Sequence, residues 1–163
     1  FTDEDLPRIS EEYDKLVEAY LERWRKGKGF FFFHFNMDLS NGPCVAKRLS
    51  GCGAGHEYFA VAENGDLYPC HQFVGREKYR LGSLDEGVTD QHWPQYFRES
   101  HVLNKEKCRD CWARFFCSGG CHANADLFHG DIRQPYETGC EIQKKRLECA
   151  IAVQAIMKLE KNK

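Results

Sequence analysis

The first part of the chain carries a helical pattern followed by a run of aromatic residues. Between Tyr13 and Trp24 apolar side chains recur every three or four positions, which is typical of one face of an amphipathic helix. Ser10 marks the expected start of this helix and Gly27 its end. Residues 30–35 show no polar alternation, and this predicts a strand that is covered on both faces.

The middle of the chain contains a hairpin signal. Asn64-Gly65 separates the segments 58–62 and 66–68, and this dipeptide is typical of a tight turn in which both residues take positive φ. We therefore expect a β-hairpin here. Residues 75–90 have the composition of a loop.

Two more helices follow from the pattern. Residues 92–99 fit a short helix with Pro94 in its first turn, where proline is tolerated. Thr138 and Glu141 have the spacing of a capping box, and the apolar stripe that follows predicts a long C-terminal helix.

The change in composition over residues 36–55 marks a connecting stretch. A single helix and strand cannot cover both faces of that strand, so we expect the first 40 residues to be a piece of a larger α/β unit whose other parts precede residue 1. The rest of the chain predicts a small α+β domain with a hairpin, loops and a long C-terminal helix.

The composition describes a globular chain without a strong electrostatic field. It has 163 residues, 42% of them hydrophobic, and a net charge of -2. This balance predicts neither a nucleic-acid partner nor binding to an anionic membrane. The longest apolar run, 30–33, is far below the roughly 20 residues that span a bilayer, and the charged start is no secretion signal. We expect a cytoplasmic protein.

Nine cysteines are the main chemical signal of the sequence. In a reducing cytosol this number indicates metal or redox chemistry rather than a disulfide framework. The densest segment is Cys108-x2-Cys111-x5-Cys117-x3-Cys121. Four thiolates so close together repel one another unless a metal centre neutralises them. Spacing alone leaves both iron-sulfur and zinc open, because both accept tetrahedral thiolate ligands.

The full cysteine pattern resembles the SPASM domain, the auxiliary-cluster region of radical S-adenosylmethionine enzymes. The resemblance rests on Cys52-x12-Gly65-x4-Cys70, on the dense segment above and on Cys140 after a gap. The segments GPCVAKRLSGCGAGHEYFAV, YPCHQFVG, CRDCWARFFCSGGC and YETGCEIQKKRLECA look more narrowly like the maturases of six-cysteine peptides, which install thioether bridges.

The resemblance implies two [4Fe-4S] clusters with seven cysteine ligands. The distal cluster would take Cys108, Cys111, Cys117 and Cys140, and the proximal cluster would take Cys52, Cys70 and Cys121. The proximal set has three thiolates, so it needs a further ligand. Cys44 could supply it, or a substrate cysteine could bind the open iron. Cys149 lies on nearly the opposite helix face from Cys140 and is expected in the core.

The same resemblance implies a domain organisation and a function. Residues 1–40 would be the tail of a radical S-adenosylmethionine partial barrel, 41–51 a linker and 52–163 the SPASM domain. The Cys-x3-Cys-x2-Cys loop of the radical-generating cluster is absent from this sequence. The third cluster, S-adenosylmethionine and radical formation would therefore belong to the full-length enzyme, with a cysteine-rich precursor peptide and an external reductant as partners.

Two other functions stay open from the sequence. The chain could be a stand-alone electron carrier with both clusters fully ligated, or a structural zinc module that binds a partner. The residues beside the ligands do not decide between them. His56 and His71 could be ligands, could tune a cluster by hydrogen bonding or could be structural, and the basic side chains of Lys105, Lys107, Arg109 and Arg114 could offset cluster charge or simply face solvent.

Overall fold

The computed structural model describes residues 1–37 and 44–162. They form two compact units, Phe1–Cys44 with Glu137–Lys163, and Val45–Tyr136. The helices are α1 (Leu6–Arg25), α2 (Val45–Arg48), α3 (His92–Glu99), α4 (Glu106–Arg109), α5 (Arg114–Cys117), α6 (His122–His129) and α7 (Glu137–Lys161), and the strands are β1 (Ala60–Val61), β2 (Asp66–Tyr68), β3 (Gly82–Ser83) and β4 (Gly87–Val88). Helices with a small antiparallel sheet confirm the predicted α+β class.

The predicted division into 1–40, 41–51 and 52–163 stays a prediction. Its first boundary falls within 38–43, outside the described residues. None of the helices in the described part of the chain has the length and apolarity needed to cross a membrane.

The first unit is built on the pairing of α1 with α7. Its core contains Leu21 of α1, Phe35, and three residues of α7, Cys149, Ala150 and Val153. The buried position of Cys149 confirms its predicted role in the core. The helix α1 starts earlier than the predicted Ser10, because Pro7 stands in its first turn, where the missing N–H costs nothing.

The strand predicted for residues 30–35 does not form, and this corrects the sequence analysis. The backbone turns instead, with the N–H groups of Phe35 and Asn36 both donating to the carbonyl of Phe32. The carbonyls of Phe35 and Met37 accept hydrogen bonds of 2.9 and 2.6 Å from the Gln154 side chain of α7. The backbone N–H and C=O groups of a strand need hydrogen-bond partners on neighbouring strands. Within the described residues of this unit, the Gln154 side chain of α7 is the partner of these two carbonyls instead.

The long C-terminal helix forms as predicted, but its start differs. It begins at Glu137, so Thr138 lies inside the helix and cannot act as its cap. The Thr138 hydroxyl donates to the Asp3 carboxylate at 2.7 Å. The predicted capping box with Glu141 is therefore replaced by a tertiary hydrogen bond, which a local sequence pattern does not reveal. Cys140 lies in the first turn, as predicted.

The second unit contains a four-stranded antiparallel sheet in the order β1-β2-β3-β4. The strands β3 and β4 lie within 75–90, where the composition predicts a loop, and they correct that prediction. Each has only two residues, too few to show alternation. The core beside the sheet includes Phe73, Tyr79 and Phe97. Phe97 belongs to α3, which forms with the bounds predicted from the sequence.

The predicted hairpin forms with β1 and β2, where Ala60 pairs with Tyr68. Its turn differs from the expected one. The Gly65 N–H donates to the carbonyl of Ala62, and Gly65 has a φ of 86° while Asn64 keeps negative φ. The turn thus has the form of a type I turn followed by a left-handed glycine, which is the usual three-residue hairpin loop.

Candidate metal centre

The first group of thiols comprises Cys52, Cys70 and Cys121, which surround the Tyr58 side chain. The Tyr58 hydroxyl lies close to the Cys52 sulfur. Burial, the adjacent Cys52 and the two other thiols together raise the pKa of Tyr58 to about 12. Cys70 is buried, whereas Cys52 and Cys121 are exposed. The structure therefore brings three thiols together with one open side.

Backbone contacts explain how Cys52 and Cys70 meet. The Gly55 N–H donates at 2.9 Å to the carbonyl of Pro69, the residue before Cys70. This bond ties the turn after Cys52 to the end of β2. Burial raises the pKa of the Cys70 thiol, and the nearby Cys121 and Cys52 raise it further. A metal centre that binds this sulfur must therefore displace its proton.

The second group of thiols is held by α4 and α5. Cys108 is in α4, Cys117 ends α5, and Cys111 lies in the turn between these helices. The Cys111 N–H donates to the Cys108 carbonyl at 3.1 Å. Burial raises the pKa of Cys108, Lys105 opposes this, and Cys117 and Cys111 add to the increase. The structure therefore also brings these three thiols within electrostatic range of one another.

A left-handed turn connects the two groups. Ser118, Gly119 and Gly120 have φ values of 60°, 84° and 73°, and they separate Cys117 from Cys121. Among the described residues, Ser118 is the one residue with positive φ that is not glycine, and its side chain is buried. This strained turn places Cys121 immediately before α6.

The other predicted cysteines lie in the first unit. Cys140 is half-buried in the first turn of α7, and Cys44 is exposed. The membership of Cys140 in the distal ligand set stays a prediction, and so does a ligand role for Cys44.

The two histidines considered from sequence have local partners. The Nδ1–H of His56 donates to the carbonyl of Ala54 at 3.2 Å, which makes this ring a brace for the turn after Cys52. His71 is exposed and its Nε2 contacts the Gln72 amide at 3.2 Å.

His122 is a buried residue that the sequence analysis missed, although it directly follows Cys121. Its Nε2–H donates to the Ser100 carbonyl at 3.2 Å, and its ring packs edge-on against Phe97. Burial and the Lys105 charge lower the pKa of His122 to about 4, so the ring is neutral at physiological pH. Tyr58 was also missed, because no local pattern shows that it lies among three thiols.

The basic side chains near the second group differ in burial. Arg109 is exposed, whereas Lys105 is buried. Arg114 is half-buried, and its Nη1 donates to the Cys111 carbonyl at 3.1 Å. The sequence pattern alone could not separate these roles.

The cysteine segment offers polar atoms that suit an acceptor-rich group. Within the described residues, the buried atoms Arg114 Nε, Ser118 Oγ and His122 Nδ1 have no hydrogen-bond partner in the protein. Two of them, Arg114 Nε and Ser118 Oγ, are hydrogen-bond donors, and an inorganic sulfide could accept a hydrogen bond from each. Across the same residues, no three His, Cys, Asp or Glu side chains converge closely enough to bind one metal ion. The Arg114 and Ser118 donors fit the inorganic sulfides of an iron-sulfur cluster.

Comparison with protein families gives a match over part of the chain. Residues 52–112 match the family model of SPASM, described as an iron-sulfur cluster-binding domain. This stretch is thus similar to SPASM domains over 61 residues, about three eighths of the chain. It contains four of the predicted ligands, Cys52, Cys70, Cys108 and Cys111. The predicted resemblance to SPASM is confirmed over these residues.

Longer relatives extend the likeness beyond the SPASM stretch. An uncharacterized protein of Archaeoglobus fulgidus is 32% identical over 166 residues, which cover 93% of this chain and 39% of that protein. The structure of native anSMEcpe with bound AdoMet matches with a TM-score of 0.59 at 19% identity, over 93% of this chain and 42% of the other. A histidine-tagged form of anSMEcpe with bound AdoMet matches with a TM-score of 0.61 at 20% identity, over 97% and 42%.

At these identities the two structures show a shared fold. The chain spans about two fifths of the length of the proteins it matches.

Proposed function

We propose that this chain is the auxiliary-cluster part of a radical S-adenosylmethionine enzyme that forms thioether crosslinks in a ribosomal peptide. It would hold two [4Fe-4S] clusters, the proximal one at Cys52, Cys70 and Cys121 and the distal one at Cys108, Cys111, Cys117 and Cys140. The observation that carries the proposal is the three-thiol group around Tyr58, within and beside the stretch that matches SPASM.

The exposure of the proximal thiols supports a role in substrate binding. Cys52 and Cys121 are exposed while Cys70 is buried, so this group is accessible from one side. Three thiols leave one cluster position without a partner from this group. A bound cluster supplies one-electron transfer and, at an iron without a protein ligand, a place for a thiolate. A cysteine of the substrate peptide would take that place, with Cys44 as its competitor.

The residues of this chain would hold the clusters and shield them from water, and they would not start the reaction. Trp112 is half exposed, and Phe115 and Phe116 beside it are half-buried at the second group. These rings limit access of water, which shifts reduction potentials. Hydrogen abstraction from the peptide would belong to the full-length enzyme, since the radical-cluster cysteine loop is not in this sequence.

Metal analysis after anaerobic purification tests cluster binding. We expect about eight irons and eight sulfides per chain, with absorbance near 400 nm. Cys149→Ala is the matched control, because Cys149 is buried in the core of the first unit. Cys52→Ala and Cys70→Ala should each reduce iron and sulfide by up to half, whereas the control should keep both. About two zincs per chain without sulfide would contradict the proposal and favour a zinc module.

The substrate role needs a second experiment in the full-length enzyme. Adding a cysteine-containing peptide should change the electron paramagnetic resonance spectrum of one cluster, and the same peptide with serine in place of cysteine should not. Equal spectra with both peptides would favour an electron carrier with fully ligated clusters. Thioether formation that persists in Cys52→Ala would also contradict the proposal.

A further inference from the structure

Lys105 is a lysine buried inside the second unit. Its side chain is 1% exposed, which sets it apart from the other lysines and arginines among residues 1–37 and 44–162. Its Nζ donates a buried 3.0 Å hydrogen bond to the carbonyl of Gly119. An ammonium taken out of water loses much of its hydration energy, so a neighbouring negative charge stabilises it strongly.

The backbone places this ammonium beside the second group of thiols. Lys105 immediately precedes α4, and its carbonyl accepts the N–H groups of Cys108 at 3.0 Å and Arg109 at 2.9 Å. Cys108 is thus fixed one turn from Lys105. The ammonium donates to the carbonyl of Gly119, two residues after Cys117, so Lys105 contacts both segments that carry these thiols.

The hydrogen bond to Gly119 gives the ammonium a second point of attachment. Gly119 belongs to the left-handed turn between Cys117 and Cys121. A Cβ built on Gly119 would lie 3.6 Å from Nζ and 3.3 Å from Val102 Cγ1, so the turn packs closely on this side chain. A hydrogen bond and close packing thus attach the ammonium to this turn.

We propose that the Lys105 ammonium is the fixed positive charge that stabilises the reduced state of the iron-sulfur centre at Cys108, Cys111 and Cys117. This inference rests on the proposed function. One electron from an external reductant such as dithionite enters the centre, no atom leaves it, and its net charge becomes one unit more negative. A buried positive charge nearby favours that state, because the protein interior screens a charge less than water does. An exposed lysine has a much weaker effect.

The test compares four variants of the protein loaded anaerobically with iron and sulfide. Lys105→Gln removes the charge but keeps a donor for the Gly119 carbonyl, Lys105→Met removes both, and Lys105→Arg keeps the charge. Lys107→Gln is the matched control, since Lys107 is exposed and close to Cys108 in sequence. A redox titration followed by electron paramagnetic resonance measures the midpoint potential of each centre.

We expect Lys105→Gln and Lys105→Met to make reduction of one centre at least tenfold less favourable, which is about 59 mV for a one-electron couple. Lys105→Arg should stay within about twofold of wild type, and so should Lys107→Gln, about 20 mV. A second titration in a Cys52→Ala/Cys70→Ala background should show the same shift in the remaining centre.

Several outcomes would overturn the inference. An unchanged potential in Lys105→Gln would show that the side chain only braces the turn, and an equal shift in Lys107→Gln would show a general surface effect. If the neutral variants fold by circular dichroism but do not load iron, loading of Lys105→Arg supports the charge role and its failure overturns it. A wild-type chain that binds no iron would overturn the proposed function itself, which distinguishes the two failures.

Discussion

The backbone N–H of Gly55 donates to the carbonyl of Pro69, and this one bond aligns the turn that follows Cys52 with the residue that precedes Cys70. Gly55 has a φ of 78° and lies against the ring of Phe97, in the core of the second unit. The geometry of the first thiol group therefore depends on a glycine that packs against the core.

Replacing Gly55 with alanine should destabilise the second unit. The new Cβ would stand 2.8 Å from Phe97 Cγ, in a backbone conformation that alanine rarely adopts. We expect the free energy of unfolding to fall by about 2–4 kcal/mol in denaturant titrations. Gly75→Ala is the control, with a φ of 81° and open space around its Cβ, and should cost about 1 kcal/mol. Equal losses in the two variants would contradict the role of Phe97.

Removing the Tyr58 hydroxyl should change the first thiol group without unfolding the protein. Tyr58→Phe removes the hydroxyl that lies close to Cys52, and hydrogen bonds to cluster sulfurs favour the reduced state. We expect the potential of the centre at this group to fall by about 30–60 mV in a redox titration. Tyr20→Phe in α1 serves as the control. An unchanged potential would show that Tyr58 is only a packing residue.

Alkylation of the iron-loaded protein should separate the cysteines by their surroundings. Cys44 is exposed, whereas Cys149 is 4% exposed. Under native anaerobic conditions we expect iodoacetamide to label Cys44 and to spare Cys149, which should react only after unfolding. Peptide mass spectrometry reads out each site. Protection of Cys44 that disappears when a chelator removes the iron would instead identify it as a cluster ligand.

Asp126 should contribute to the stability of the second unit through a buried partner. Its carboxylate accepts a hydrogen bond from the Tyr79 hydroxyl and another of 2.9 Å from Arg76 Nη1. Tyr79 is 2% exposed, so Asp126→Ala would leave a buried hydroxyl without its acceptor. We expect a loss of about 1–3 kcal/mol in the free energy of unfolding. Asp85→Ala, at an exposed position, should stay within about 0.5 kcal/mol of wild type, and an equally small loss in Asp126→Ala would contradict this account.

Local sequence patterns predicted the elements that local forces determine. The helix at 92–99 and the hairpin at Gly65 follow from periodicity and turn chemistry, and both formed. The strand at 30–35 failed because a strand depends on neighbours. The chain turns there instead, and the carbonyl of Phe35 accepts a hydrogen bond from Gln154, which is more than a hundred residues away in sequence.

The candidate site also has a part that the sequence predicted and a part that it did not. Cysteine spacing indicated which thiols to consider, because ligand spacing is a local property. The residues around them were not predictable, since their burial arises from distant segments. His122 meets Ser100, and Lys105 meets Gly119, only after the second unit has folded.

The turn of Ser118, Gly119 and Gly120 links the positions of the two thiol groups. It leaves four Cα steps between Cys117 and Cys121, which span at most about 15 Å. A deletion or insertion of one residue here would displace a thiol of each group at once. The two centres therefore share one constraint on chain length, and a variant with one residue added or removed in this interval should lose both.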